Sequence, residues 1–156
     1  ELLILNKFEP STFISSISQY TDEMGSTTLT INGGLFTCNG LEGVTAHALV
    51  AWDGSVTNIN GGTFKAGVDV DGAANAVVYA RKNGKVYVNG GNFPNESNST
   101  FVLNKKDADR ATTTIEVRGG KFYNFNPANN AAEGAGTNFC AAGKTVEQDG
   151  DWYIVK

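Results

Sequence analysis

Seven charged residues come in groups that could do chemistry. Asp69 and Asp71 share one turn, Arg81 and Lys82 follow in the same stretch, and Asp107, Asp109 and Arg110 lie in the next. Paired carboxylates beside a cation can supply the acid and the base or nucleophile of glycosidic bond cleavage. Such an enzyme requires Asp69, Asp71 and Arg81 to converge in one groove, and it loses activity on Asp71→Asn. Against it stands their setting, because all these aspartates fall in or beside turn signals, where Asp commonly bonds nearby backbone. The single His47 has no Cys, Asp or Glu at ligand spacing. It reads as a satisfied or exposed imidazole rather than a metal ligand or general base. No Gly-x-Ser-x-Gly elbow, phosphate loop or EF-hand pattern is present. The sequence therefore predicts no catalytic residue, no metal site and no cofactor.

What must position any site is a repeat. Ile31-Asn32-Gly33-Gly34-Leu35-Phe36 recurs as Ile59-Asn60-Gly61-Gly62-Thr63-Phe64, Val88-Asn89-Gly90-Gly91-Asn92-Phe93 and Val117-Arg118-Gly119-Gly120-Lys121-Phe122. From one first glycine to the next the intervals are 28, 29 and 29 residues. A fixed period of this size is the signature of stacked repeats. A β-branched residue, a polar one, two glycines, a free position and a Phe read as strand, bend, strand.

About twelve residues past each Phe comes a second apolar segment: Ala48 to Trp52, Ala76 to Ala80, and Phe101 to Leu103. Turn signals follow at Asp53-Gly54, Asn83-Gly84 and Lys105 to Arg110, and the chain returns through Val56 to Ile59, Lys85 to Val88 and Thr112 to Val117. The expected fold is all-β, a short parallel β-helix of about four coils. A propeller blade needs roughly 40 to 45 residues, and the leucine pattern of a leucine-rich repeat is missing. Stacking predicts an inward ladder of Phe36, Phe64, Phe93 and Phe122 beside an aliphatic ladder of Ile31, Ile59, Val88 and Val117. The column Asn32, Asn60, Asn89 and Arg118 is placed at the surface, since a guanidinium does not fit a narrow dry stack.

We read a single domain over residues 1–156, with 1–26 as an N-terminal cap or linking segment, 27–122 as the array and 123–156 as a C-terminal cap. Starting at Glu1, the sequence reads as a processed or trimmed product. Ser11 as N-cap, with Phe13, Ile14, Ile17, Tyr20 and Met24 at helical spacing up to Gly25, predicts an amphipathic cap over the open end. The alternative is that Leu2, Leu3, Ile4 and Leu5 form an assembly strand donated to a neighbouring subunit. At the other end, Lys144 to Gln148 and Trp152 to Lys156 flank Asp149-Gly150-Asp151, a hairpin signal.

Nineteen glycines, three prolines and 18% charged residues suit short strands and tight turns. A net charge of −4 without a basic stretch argues against nucleic acid as partner, and no apolar run is long enough to span a bilayer. Cys38 and Cys140 stand 102 residues apart at opposite ends of the array. Stacking would hold them roughly 14 Å apart, well beyond disulfide reach, so both are expected to be free and buried. Asn95-Glu96-Ser97 and Asn98-Ser99-Thr100 are glycosylation sequons, and Trp52, Tyr79, Tyr87 and Tyr123 offer stacking platforms for sugars if they face outward.

The tail Gly119-Gly120-Lys121-Phe122-Tyr123-Asn124-Phe125-Asn126-Pro127-Ala128-Asn129-Asn130, with Glu133-Gly134-Ala135-Gly136-Thr137-Asn138-Phe139 and Asp149-Gly150-Asp151-Trp152-Tyr153-Ile154-Val155, resembles the C-terminal signature of short β-helical proteins of tailed bacteriophages and gut bacteria. It is also similar to modules of phage head fibres and capsid-decorating proteins. The resemblance implies a non-enzymatic virion or surface module that self-associates, contacts other virion proteins and in some cases meets host glycans. It carries no catalytic residue onto this chain. The expected setting is a virion, the cell surface or the extracellular space. A glycan-binding surface adhesin is the second reading and a carbohydrate-active enzyme the third.

Overall fold

The computed structural model describes residues 18–19, 27–38, 47–66, 76–95 and 101–156. Leu2 to Leu5, Asp69, Asp71 and the Asn98 sequon lie outside the described residues, as does the Cys38 side chain. In chain order the strands are β1 (Ser18–Gln19), β2 (Thr28–Ile31), β3 (Leu35–Cys38), β4 (Leu49–Ala51), β5 (Val56–Ile59), β6 (Thr63–Ala66), β7 (Ala76–Ala80), β8 (Lys85–Val88), β9 (Asn92–Phe93), β10 (Phe101–Lys105), β11 (Thr114–Val117), β12 (Gly120–Tyr123), β13 (Val146–Asp149) and β14 (Trp152–Val155). The fold is all-β. The strands form three sheets, ordered β1-β4-β7-β10, β11-β8-β5-β2 and β13-β14-β12-β9-β6-β3. Every pairing between repeats is parallel, and the hairpin β13–β14 adds antiparallel strands beyond β12.

Each of the first three repeats thus gives one strand to each sheet, the fourth gives β11 and β12 to the second and third, and the sequence positions stay in register. Ile31 pairs Ile59, Ile59 pairs Val88 and Val117 pairs Val88, while Phe36 pairs Phe64 and Phe93 pairs Phe122. The expected phenylalanine ladder is present. Successive ring centroids lie 4.8, 5.3 and 4.6 Å apart with interplanar angles of 13° or less. Those separations follow the roughly 4.8 Å spacing of paired strands, so the register of the sheet sets the ring stacking. Phe64, Phe93 and Phe122 are fully buried, and they join Ile59, Val88 and Val117 of the second sheet and Leu49, Val78 and Leu103 of the first in one apolar cluster. Each stacked aromatic pair adds about 0.5–1.5 kcal/mol beyond its area burial.

The two glycines of the bend answer to different constraints. At Gly90 a Cβ would lie 2.6 Å from the Asn60 carbonyl oxygen of the repeat before it, and Gly61 and Gly119 meet Asn32 and Asn89 in the same way at 2.7 and 2.5 Å. Gly91, by contrast, sits at φ +106°, where a side chain is strained. The bends are bonded to one another as tightly as the strands: Asn89 N donates to Ile59 O at 2.7 Å, Gly90 N to the same oxygen at 3.1 Å, and Asn92 N to Gly62 O at 2.8 Å. The polar column is at the surface, as its arginine requires, yet it is also a bonded ladder. Asn60 Nδ2 donates to Asn32 Oδ1 at 2.8 Å and Asn89 Nδ2 to Asn60 Oδ1 at 2.9 Å, while Arg118 turns aside to Glu116 at 2.6 Å.

One expectation fails inside the described residues. Ser18 and Gln19, placed by periodicity in an amphipathic helix, form β1 and pair in parallel with Val50 and Ala51. The open edge of β4 offers backbone partners, and tertiary pairing overrides a helical pattern that rests on a few apolar positions. The C-terminal hairpin forms as expected, with Tyr123 opposite Trp152 and Gly150 at φ +59° between its strands.

Gly90→Ala should cost about 1–3 kcal/mol, because its Cβ meets backbone that cannot swing away. Urea unfolding would show the midpoint drop; an unchanged midpoint would contradict the close approach.

Candidate functional site

The charged groups singled out in the sequence gather where the first sheet ends. β4 and β7 stop at paired alanines, Ala51 and Ala80, so the next residues, Trp52 and Arg81, are also neighbours. Arg81 N donates to Ala51 O at 3.0 Å, and its guanidinium carbon lies 3.8 Å from the centroid of the Trp52 ring. Lys82 Nζ stands 5.4 Å from the same ring. A cation over indole at this range contributes about 0.5–1 kcal/mol at an exposed site. Tight turns follow, through Asp53-Gly54 in one repeat and Lys82-Asn83-Gly84 in the next, with positive φ at Asp53, Lys82 and Asn83.

The carboxylates serve backbone and turn. Asp109 Oδ2 accepts from Lys82 N at 2.8 Å, and Asp107 Oδ1 accepts from Arg110 at 2.8 Å across the 3-10 turn Asp107–Asp109. Arg110 Nε also lies 2.7 Å from Glu133, whose side chain is only 9% exposed. The other oxygen of Glu133 accepts from Lys105 N at 2.6 Å. Glu133 therefore ties the C-terminal segment to β10, the last strand of the first sheet. Sequence reasoning missed it; the signal was a lone carboxylate in a tail of Asn, Ala and Gly. The structure brings Arg81, Lys82, Asp107, Asp109 and Arg110 to one end of the first sheet, and each is held in an intramolecular contact there. Among the described residues, Asp107 and Glu133 both lie on Arg110 and Asp109 is bonded to backbone.

His47 is satisfied. Its Nδ1–H donates to Ala76 O at 2.9 Å, and its ring stacks on Tyr79 with centroids 4.5 Å apart at 5°. Burial lowers the pKa of His47 below its ordinary 6.5, with the bond to Ala76 opposing the shift. Burial likewise raises the Tyr79 phenol, with Arg81 working against it and Asp107, Asp109 and Glu133 with it.

The aromatic platforms are each taken from within. Trp52 carries Arg81, Tyr79 carries His47, and Tyr87 carries the Arg118 guanidinium at 4.4 Å. Tyr123 meets Trp152 edge-on at 5.3 Å and donates its hydroxyl to Asp151 at 3.3 Å. Asn95, the acceptor of the first sequon, is 3% exposed. A shallow groove runs over the glycine bends, lined by Gly61, Gly62, Gly90, Gly91 and Gly120 with Lys121 and Ile154 at its end. No titratable pair converges on it. Cys140 is a free, half-buried thiol, and burial raises its pKa. Among the described residues no cluster of His, Cys, Asp or Glu could hold a metal, and no helix is long and apolar enough to cross a membrane.

A lowered histidine pKa means that the unfolded chain binds a proton more readily than the folded one as pH falls through about 6.5. The stability His47 confers is present above that pH and lost below it. Wild type should therefore lose more melting temperature between pH 7 and pH 5 than His47→Gln does; equal losses would contradict the buried, neutral imidazole.

Comparison with family models, with characterised proteins and with solved structures gives no match for this chain.

Proposed function

We propose that this chain is a short parallel β-helix and serves as a non-enzymatic structural module of a bacteriophage virion, a head fibre or capsid decoration, or of a similar extracellular assembly. The observation that carries the reading is the fate of its reactive groups. Among the described residues, the charged and aromatic side chains singled out as able to do chemistry or grip a sugar are engaged in contacts within the chain, several of which join one repeat to the next. Arg81 on Trp52, Tyr79 on His47 and Asp109 on Lys82 each cross a repeat boundary. Side chains used in this way stiffen a rod.

The β-helix reading is supported by three sheets that share one core, pair in parallel between repeats and each receive a strand in turn from the first three repeats. Stacked strands of this kind leave little backbone unpaired, which suits a module exposed to proteases outside a cell. Its copies associate through the outer faces of the sheets. A glycan-binding adhesin draws less support, since the rings a sugar would stack on already carry partners. A carbohydrate-active enzyme draws less still, with its described carboxylates committed to turns.

Light scattering on the purified chain tests the proposal. The expected result is a discrete oligomer or a filament at micromolar concentration. A chain that stays monomeric throughout and binds an oligosaccharide would overturn it in favour of the adhesin.

A further inference from the structure

The polar column over the bends has a direction. Asn60 Nδ2 donates to Asn32 Oδ1 and Asn89 Nδ2 to Asn60 Oδ1, so each amide gives a bond to the repeat before it. Asn32 stands at the receiving end. Its side chain accepts from Asn60, and among the described residues its own Nδ2 donates to no partner.

Each of these asparagines precedes a glycine, and so does Asn83. That pair is open to spontaneous succinimide formation, because no Cβ shields the glycine amide. The glycine nitrogen loses its proton to solvent and forms a bond to the asparagine Cγ, while the Cγ–Nδ2 bond breaks and ammonia leaves. Water then adds to a ring carbonyl and opens the ring, leaving aspartate or isoaspartate. The reaction needs a free amide nucleophile, a polarised carbonyl and an amine able to depart.

Asn32 has all three. Gly33 N donates to no described residue, and nothing comes within 4 Å of the position its Cβ would take, so the ring has room to close. The bond from Asn60 favours the charge that develops on Asn32 Oδ1 during attack. Both Asn32 and Gly33 are exposed, which lets water reach the ring.

The other described pairs each lack something. Asn60 and Asn89 hold their Nδ2 in the column. Gly61 is packed with its would-be Cβ 2.7 Å from Asn32 O, and Gly90 N is bonded to Ile59 O at 3.1 Å. Gly84, which follows Asn83, is buried; its N donates to Arg81 O at 2.9 Å, and a Cβ there would lie 2.6 Å from Ala51 O. Asn39-Gly40 lies outside the described residues.

The product obeys the same direction. An aspartate at position 32 still accepts from Asn60, now through a charge-assisted bond. An aspartate at position 60 or 89 gives up a donated bond and turns a carboxylate oxygen toward the amide oxygen it used to bond.

We propose that Asn32-Gly33 is a site of spontaneous deamidation, at which the folded chain converts an amide to a carboxylate at the accepting end of the polar column while the amides of Asn60 and Asn89 are preserved.

The test is a time course on the full native chain at mildly alkaline pH, read by peptide mapping with fragmentation that assigns each conversion to a residue. A parallel sample is held unfolded in concentrated urea. In the folded chain Asn32 should lose its amide about fivefold or more faster than Asn60, Asn89 and Asn83, the factor imposed by a hydrogen bond that must first be broken. In urea the four should convert at similar rates. An Asn32 that keeps its amide in the folded chain, or loses it no faster than the other three, would overturn the proposal. Asn32→Asp, Asn60→Asp and Asn89→Asp test the product: at neutral pH the first should keep the wild-type urea midpoint and the other two should lower it. A lowered midpoint for Asn32→Asp beside unchanged ones for Asn60→Asp and Asn89→Asp would reverse the column and overturn the assignment as well.

Discussion

The contact on which the rest depends is the approach of one bend to the next. Parallel strands stack about 4.8 Å apart, and at the bend this leaves no room for a Cβ beneath the asparagine carbonyl. Glycine at that point lets the backbone turn without leaving the stack, and the glycine after it supplies the positive φ that re-aims the chain into the third sheet. Once two bends are in contact, register is fixed. The Phe that follows falls on the Phe before it, and the β-branched residue ahead falls on its counterpart.

Such an array creates its own problem at the ends, where strand edges present unpaired backbone groups. The C-terminal segment meets it by a different means in each sheet. The hairpin β13–β14 covers β12 with antiparallel strands. Phe139 O accepts from Val117 N at 2.8 Å and Ala141 N donates to Val117 O at 2.8 Å, so this segment lies along β11. Glu133 takes the Lys105 amide of β10 with a side-chain oxygen. Asn126 and Asn130 hold the connecting loop by bonding its backbone, with Ala128 N and Ala132 N donating to their side-chain oxygens. The asparagine-rich composition of the tail is thus a set of backbone acceptors and donors, and Phe125 and Phe139 anchor it to the core.

Most of the array was legible because the repeat states it four times. Val56–Ile59, Lys85–Val88 and Ala76–Ala80 match the strands read from pattern alone, and both inward ladders follow from period and register. The strand at Ser18–Gln19 was not legible, since apolar residues at helical spacing suggested a helix there and could not report the sheet edge that Ser18 and Gln19 pair with. The roles of His47 and Glu133 were hidden for a related reason. Each is defined by a partner about 28 residues away, Ala76 O for one and Lys105 N for the other, and neither belongs to the repeated hexapeptide. The candidate site was visible as a list of charges. What each charge does depends on turn geometry that only the fold supplies.

The central claim is that stacked bends, rather than isolated strands, hold the molecule together. Native-state hydrogen exchange at the amides of Asn60, Asn89 and Arg118 addresses it directly, because each donates across a repeat boundary at 2.7 Å within the bend. The account predicts that these three exchange only with global unfolding, as slowly as the amides of β5 and β8. Fast exchange at the bends, with the strands still protected, would show that the glycine turns are loose connections and would contradict it.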